Sequence, residues 1–264
     1  MPTLTVENFG STAFVPRASS AVYGNLHFCE LRILHGVLLS YTFSATQWIF
    51  GNEPIIQSLQ RLSRFGYDGI ELAGEPDSIN AEELPPLLTK YGLKCTSICG
   101  IFTEERDLSR ALESIRSAAD YAQERNIKFV IEAINRYETC LLSNLSLAHS
   151  FVKDLSHPTV GLMADCFHAG FEERNFLQKL RVIAPYLWHF HIADNTREAA
   201  GMGNTDFREI LDTLKEINYS GSLTMEFLPP TADPYAAVRL DTEDSLMDDY
   251  AERSIHIIKS LLIN

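Results

Sequence analysis

The sequence predicts an α/β fold, a TIM-type (β/α) barrel with seven recognisable strands and an N-terminal extension. Three observations carry that expectation. From about residue 35, short apolar runs alternate with longer amphipathic ones, the pattern of parallel strands covered by helices. At 264 residues the chain has the length of one barrel, about 250 residues. No Gly-rich nucleotide loop follows the first strand, which disfavours an open doubly wound sheet.

The expected strands are GVLLSYTF (36–43), DGIELAG (68–74), KCTSICG (94–100), KFVIEAIN (128–135), VGLMADCF (160–167), LWHFHIAD (187–194) and SLTMEFL (222–228). Between them lie helical patterns such as EPIIQSLQRLSRFG, RALESIRSAADYAQERN and FREILDTLKEIN. Each of these three ends at Gly or Asn, as helix C-caps do. Residues 1–34 do not follow this rhythm; they are rich in Ser, Ala and Gly and lack a helical period. They are read as an irregular or partly disordered extension, and 35–264 as the barrel domain.

Composition excludes several classes of function. Lys plus Arg number 22 against 35 Asp plus Glu, a formal charge of −13, which opposes nucleic acid and anionic membranes as partners. No run of 18 apolar residues occurs, so no membrane span is expected. The N-terminus lacks the basic-then-apolar pattern of a signal peptide. Five cysteines, odd in number and without a CxxC pair, read as reduced thiols of a cytoplasmic protein.

The chemistry is signalled by a buried charge. In VIEAINRYE, residues 130–138, Glu132 stands among apolar residues of a strand, where a carboxylate is costly unless paired. Asp165, His191 and Glu226 also stand near the C-terminal ends of strands, at successive separations of 33, 26 and 35 residues. Each is about one βα repeat of roughly 31 residues. Alternation along a strand places Val130 with Glu132, Met163 with Asp165, His189 with His191 and Thr224 with Glu226. If those faces point inward, three carboxylates and an imidazole meet at the barrel mouth, where like charges need a cation. A mixed oxygen and nitrogen shell suits Mn²⁺, Co²⁺ or Mg²⁺. Glu138, His168 and Arg197 follow these residues in the loops leaving the strands, where barrels place substrate contacts. Taken singly, each such residue is more often a cap or a solvated side chain; the spacing and shared parity argue for a site.

At these residues the chain resembles the ketose 3-epimerases, the D-tagatose/D-allulose (psicose) 3-epimerase group of the xylose-isomerase-like barrels. The matching segments are YTFSATQW, GIELAGE, SICG, EAINRYE, MADCFH, HFHIADNTR and TMEF. The resemblance implies one divalent metal ion, Mn²⁺ before Co²⁺ or Mg²⁺, held by Glu132, Asp165, His191 and Glu226. It implies a small-molecule sugar as partner, with Glu132 and Glu226 as catalytic acid/base groups flanking C3 of a free ketose. Metal coordination of the C2 carbonyl and C3 hydroxyl would stabilise the developing enediolate. Glu138, His168 and Arg197 match positions that touch substrate, Cys99 and Gly100 a pocket wall, and Tyr41 and Trp48 aromatic positions near the sugar. A homodimer or other homo-oligomer is implied as well.

The chain departs from this group by an absence. Cys99 and Glu132 are 33 residues apart, room for one helix and no additional strand, so the group's fourth βα unit is missing. TLTVENF, or HFCELRIL at residues 27–34, could fill the gap. Ala169, Gly170 and Met202 also differ from the group's usual residues at the pocket rim. Other readings of the same shell are an aldose–ketose isomerase, a hydroxypyruvate isomerase, an inosose dehydratase or a catalytically impaired metal-binding relative.

Overall fold

The computed structural model describes residues 3–8, 33–34, 37–38, 41–74, 80, 82–101, 108–230 and 244–263. Strand β1 is Thr3–Asn8, and β2 (Ile33–Leu34) pairs with β3 (Val37–Leu38) in a small hairpin of its own. The parallel strands follow: β4 (Thr42–Thr46), β5 (Gly69–Ala73), β6 (Lys94–Ile101), β7 (Ile127–Glu132), β8 (Val160–Asp165), β9 (Leu187–Ile192) and β10 (Ser222–Met225). They close a barrel in the order β1-β6-β5-β4-β10-β9-β8-β7. Helices α1 (Ile55–Phe65), α2 (Leu84–Tyr91), α3 (Leu108–Gln123), α4 (Leu145–Leu155), α5 (Cys166–Glu172), α6 (Phe176–Ile183), α7 (Phe207–Glu216) and α8 (Asp244–Ile263) accompany them.

Six of the seven parallel strands are those expected and the first is displaced along the chain; the gap lies where the spacing of Cys99 and Glu132 put it. Strand β1 fills it, running antiparallel to both neighbours: Thr3 pairs with Ile101 and Val6 with Ile98 on one side, Leu4 with Ile131 and Asn8 with Ile127 on the other. A stretch of TLTVENF is therefore the strand that completes the barrel. HFCELRIL does not take that place; its described residues, Ile33 and Leu34, belong to the hairpin. The rest of residues 1–34 lies outside the described residues. Closure satisfies backbone groups that an open parallel edge would leave unpaired. An antiparallel strand also has its N-terminal end at the mouth, where a parallel strand would be followed by a βα loop.

The first parallel strand is a correction. It spans Thr42–Thr46 rather than residues 36–43, and Val37–Leu38 belongs to the hairpin. Small polar residues hid it from an apolar-run reading: Ser44 and Thr46 are fully buried inside the barrel, and Ser44 Oγ lies 2.7 Å from Thr224 Oγ1 on neighbouring β10.

Helices α3 and α7 each bury one stripe. In α3 the stripe is Ala111, Ile115, Ala119 and Ala122; in α7 it is Phe207, Ile210, Leu211 and Leu214, the i, i+3, i+4 spacing of an amphipathic helix. Helices α1 and α2 end at Gly66 and Gly92, both left-handed, where the missing Cβ removes the strain. Arg61, stacked 4.0 Å from the Phe50 ring, bonds to Glu53 at 2.8 Å and to Asp248 at 2.6 Å. That paired cation ties α8 to α1 across the first repeat.

Candidate metal centre and active site

The four residues singled out by spacing converge. Glu132, Asp165, His191 and Glu226 each offer a ligand atom within 4.8 Å of the others. Glu132 and Asp165 are the last residues of β7 and β8, His191 is the penultimate residue of β9, and Glu226 follows the last residue of β10. In β9 the inward parity carries His189 and His191 together, and both are fully buried. The Glu226 side chain keeps 12% of its surface exposed, which marks the open side of the cluster.

Each ligand is held by its own strand end. Asp165 is the N-cap of α5: one carboxylate oxygen accepts from the Phe167 N–H at 2.6 Å, and the other lies 3.8 Å from His191 Nδ1. His191 Nδ1 is also 3.2 Å from Glu226 Oε2. Glu132 Oε1 is buried without a hydrogen-bond partner, with His168 Nε2 3.7 Å away. Burial, then the Glu226 charge, raises the Glu132 pKa well above the usual carboxyl range. Burial also raises Asp165. Burial works against ionised Glu226, but the charge and hydrogen bond of His191 outweigh it and lower its pKa. Three carboxylates beside one imidazole, one oxygen left unpartnered, form a donor set that fits a divalent cation.

A ring of polar side chains borders this cluster. The Asn135 amide nitrogen donates to Glu138 Oε1 at 2.8 Å and to His168 Nδ1 at 2.8 Å. Its carbonyl oxygen accepts from the Tyr137 N–H at 3.0 Å. Asn135 thereby sets the tautomer of His168, leaving its proton on Nε2, toward Glu132. His168 lies in the first turn of α5 rather than in a loop, and burial lowers its pKa, so it stands as a neutral imidazole. Arg197 Nη1 donates to Glu138 at 2.9 Å, and the guanidinium lies 4.6 Å from the centre of the Phe167 ring. Arg197 Nε is buried with no hydrogen-bond partner.

Arg197 stands at φ 63°, a conformation costing about 1–3 kcal/mol for a side-chain-bearing residue. Asp194 underwrites it. Its carboxylate accepts from the N–H groups of Asn195 at 2.8 Å, Gly201 at 2.9 Å and Thr205 at 3.0 Å. A Cβ on Gly203 would come within 2.5 Å of Asp194 Oδ1, so glycine is required for this close approach.

Cys99 is buried, and its pKa is raised by burial and by Glu71, Glu132 and Glu226. Its thiol thus borders the acidic cluster. Gly100 pairs with Leu4 of β1, placing it in the wall where the barrel is completed. Trp48 lies half-buried in the short helical turn Gln47–Phe50 that leaves β4 at the mouth. Tyr41 is different. It precedes the first residue of β4, at the floor of the barrel, where its ring stacks on Tyr219 with centroids 6.3 Å apart. The structure does not bring Tyr41 to the other site residues: at one residue per 3.3 Å or so, β4 carries it away from the mouth.

Sequence reasoning passed over Glu71. This residue of β5 is fully buried inside the barrel, accepting from Ser97 Oγ and lying 2.8 Å from His189 Nε2 and 3.2 Å from His191 Nε2. The signal was present: Glu71 in GIELAG is a charge in an apolar strand, the same clue that marks Glu132. Asn135 and Asp194 were passed over too, and nothing short of their contacts distinguishes them from ordinary turn residues.

Comparison with known proteins agrees with this geometry. A D-psicose 3-epimerase of Agrobacterium fabrum is 37% identical over 120 residues, 46% of this chain and 42% of that protein. This chain thus matches less than half the length of that relative. The 3-dehydro-D-guloside 4-epimerase of Escherichia coli is 26% identical over 72% of this chain and 93% of its own. The D-allulose 3-epimerase of Methylomonas sp. superposes with a TM-score of 0.73 at 20% identity, over 84% of this chain and 98% of that one. Residues 100–243 match the xylose isomerase-like TIM barrel family; the chain belongs to that family.

Proposed function

We propose that this protein epimerises a free ketose at C3, using one divalent metal ion and Glu132 and Glu226 as its acid/base pair. One observation carries the reading. Of the four consecutive strands β7, β8, β9 and β10, the outer two deliver Glu132 and Glu226. A ketose seated over Asp165 and His191 would meet the two glutamates from opposite ends of the cluster. When bound, the metal would polarise the oxygens flanking the C3–H bond and make its proton removable. One glutamate takes that proton from one face, and the other returns a proton to the opposite face. Glu138, His168 and Arg197 would hold substrate oxygens, and a sugar oxygen would give Arg197 Nε the acceptor it lacks. Cys99, Gly100 and Trp48 would wall the pocket; Tyr41, at the floor, is left out of it.

Mn²⁺ is the proposed ion, and a homodimer the proposed assembly. The cytoplasm is the proposed compartment, supported by Cys95, Cys99, Cys140 and Cys166, all of which are unpaired. No described helix is long and apolar enough to cross a membrane. The test is exchange: the Mn²⁺-loaded protein is incubated in D₂O with D-fructose, D-tagatose and L-ribulose. Deuterium at C3 with inversion is expected. Exchange at C1 would replace the reading with an aldose–ketose isomerase, and absence of both exchange and metal binding with an impaired relative.

A second reading has its own support. The antiparallel β1 has its N-terminal end at the mouth between β6 and β7. One of the relatives aligned over most of both chains is named for a 4-epimerase of a keto-glycoside, though another is named a probable ketose 3-epimerase. A keto-glycoside that exchanges at C4 while free ketoses do not would favour it.

A further inference from the structure

Beneath the ligand cluster the barrel holds a second set of titratable side chains that the proposed chemistry does not use. Glu71 on β5 reaches across the interior to His189 and His191 on β9, two strands beyond its nearest neighbour in that direction. The chain of polar contacts continues from His189 Nε2 to Thr224 Oγ1 at 3.2 Å and from there to Ser44 Oγ at 2.7 Å. Glu71, His189, Thr224 and Ser44 are all fully buried. Barrel interiors at this level are usually filled with branched apolar residues, so a complete polar row needs a reason.

The reason lies in the two nitrogens of His191. Its Nδ1 faces Glu226 at 3.2 Å and Asp165 at 3.8 Å, while Nε2 sits almost midway between the Glu71 oxygens, at 3.2 and 3.3 Å. A carboxylate can only accept, so Glu71 requires the proton on Nε2. Nδ1 also faces a carboxylate, Glu226, which would accept from it in the metal-free protein; with an ion bound, the Nδ1 lone pair would go to the ion while Glu71 keeps the proton on Nε2. Glu71 is itself fixed by Ser97 Oγ and by His189. His189 shares the inward parity of His191 yet contributes no atom to the four-residue cluster; its ring, 5.1 Å from that of His191, buttresses Glu71 instead.

We propose that Glu71 is a positioning residue: it holds the His191 imidazole in the tautomer and orientation that make Nδ1 a metal ligand, with His189 and Ser97 holding Glu71. The inference rests on the metal-dependent reading given above. An outer carboxylate on a ligand histidine is worth about 10- to 100-fold in metal affinity.

The test measures Mn²⁺ binding, by titration calorimetry and by the electron paramagnetic resonance of free Mn²⁺, on full-length variants with native near-ultraviolet circular dichroism. Glu71→Gln keeps the side-chain volume but sets an amide N–H against one imidazole N–H. It is expected to weaken Mn²⁺ binding by about 10- to 100-fold. Glu71→Asp retains the charge at a shorter reach and should fall between Glu71→Gln and the wild type. It also keeps the test open should the amide variant fail to fold. Ser44→Ala cuts the same buried row at its far end, away from His191, and should bind Mn²⁺ as the wild type does. Equal losses in Ser44→Ala and Glu71→Asp would reduce the row to packing and overturn the inference. Wild-type affinity in a folded Glu71→Gln or Glu71→Asp would overturn it while leaving the proposed function standing. A wild-type protein that binds no Mn²⁺ would overturn both.

Discussion

Two carboxylate centres share one imidazole in this barrel, and they are built on opposite principles. Around Glu71, donors exceed acceptors: Ser97 Oγ and the Nε2 atoms of His189 and His191 all converge on one carboxylate. Around Glu132, Asp165 and Glu226, acceptors exceed donors; each centre has one oxygen without a hydrogen bond, but that of Glu71 faces His191 Nε2 at 3.2 Å, whereas that of Glu132 has His168 Nε2 no nearer than 3.7 Å. The electrostatics follow. Burial would raise Glu71, but His191 and His189 outweigh it and hold its pKa far below the carboxyl range, whereas Glu132 is held well above that range. A buried carboxylate faced by two imidazoles is balanced in charge without an ion. A buried cluster short of donors is unfinished, and a cation would complete it.

The contrast is broken most directly at the glutamates. Glu132→Gln and Glu226→Gln should each cut epimerisation by at least about 10³-fold, the scale of a lost acid/base group, with the fold intact by circular dichroism. Wild-type-like turnover in both variants would remove the proposed mechanism. In the metal-free protein at neutral pH or above, Glu132→Gln should also melt higher than the wild type, because the amide needs neither the proton uptake nor the like charge that a carboxyl group has to accept in this dry site. Glu71→Gln should melt lower, by up to about 3–5 kcal/mol, because it strips the partner from two buried imidazoles. Thermal melts of the two variants in chelator, compared with the wild type, read opposite signs if the two centres differ as described.

A pH series sharpens the same comparison. Glu132 and His191 both have pKa values raised in the folded state, His191 because Glu71 and Glu226 outweigh its burial. Folding therefore retains protons that the unfolded chain loses, and this contribution fades as pH rises through those values. The metal-free protein should lose stability as pH rises above the ordinary carboxyl value, about 4.3, and further as it rises above the ordinary imidazole value, about 6.5. Glu71, lowered in the folded state, works in the other direction: its stabilisation is present above the usual carboxyl pKa and is lost in acid. Because ligands must shed protons, Mn²⁺ binding should release protons and tighten as pH rises. Calorimetry in buffers of different ionisation enthalpy counts those protons; a count of zero at pH 6 would contradict the electrostatic description of the cluster.

Much of the mouth was legible in the sequence because its residues obey two simple periods. One βα repeat separates Glu132, Asp165, His191 and Glu226, and a period of two puts each on the inward face. Glu71 shares the inward parity and was overlooked because two of its partners, His189 and His191, become its neighbours only when the barrel closes. Strand β4 was displaced because Ser44 and Thr46 look like loop residues until Thr224 is placed beside Ser44. The gap between β6 and β7 could be read from a separation of 33 residues, and TLTVENF was one of two candidates to fill it. Choosing between them required the pairing of β1 with β6 and β7, a long-range contact that no local pattern encodes.

Tyr41 supplies the smallest and most discriminating case, because it too carries a buried oxygen without a partner. The resemblance placed it beside the sugar, yet it stacks on Tyr219 at the barrel floor, and burial, then Asp212, raises its pKa. Unlike Glu132 Oε1, its hydroxyl has no neighbouring set of ligands whose charge a cation would balance. A neutral orphan of this kind costs about 1–3 kcal/mol, so Tyr41→Phe should leave the protein as stable or more stable, by up to that amount. Its kcat/KM on the best ketose should be unchanged. A tenfold fall in kcat/KM with an unaltered melting temperature would return Tyr41 to the substrate pocket. Unpartnered atoms in this barrel would then mark the site at both ends of β4, and the distinction between an unfinished centre and a tolerated defect would have to be drawn by charge alone.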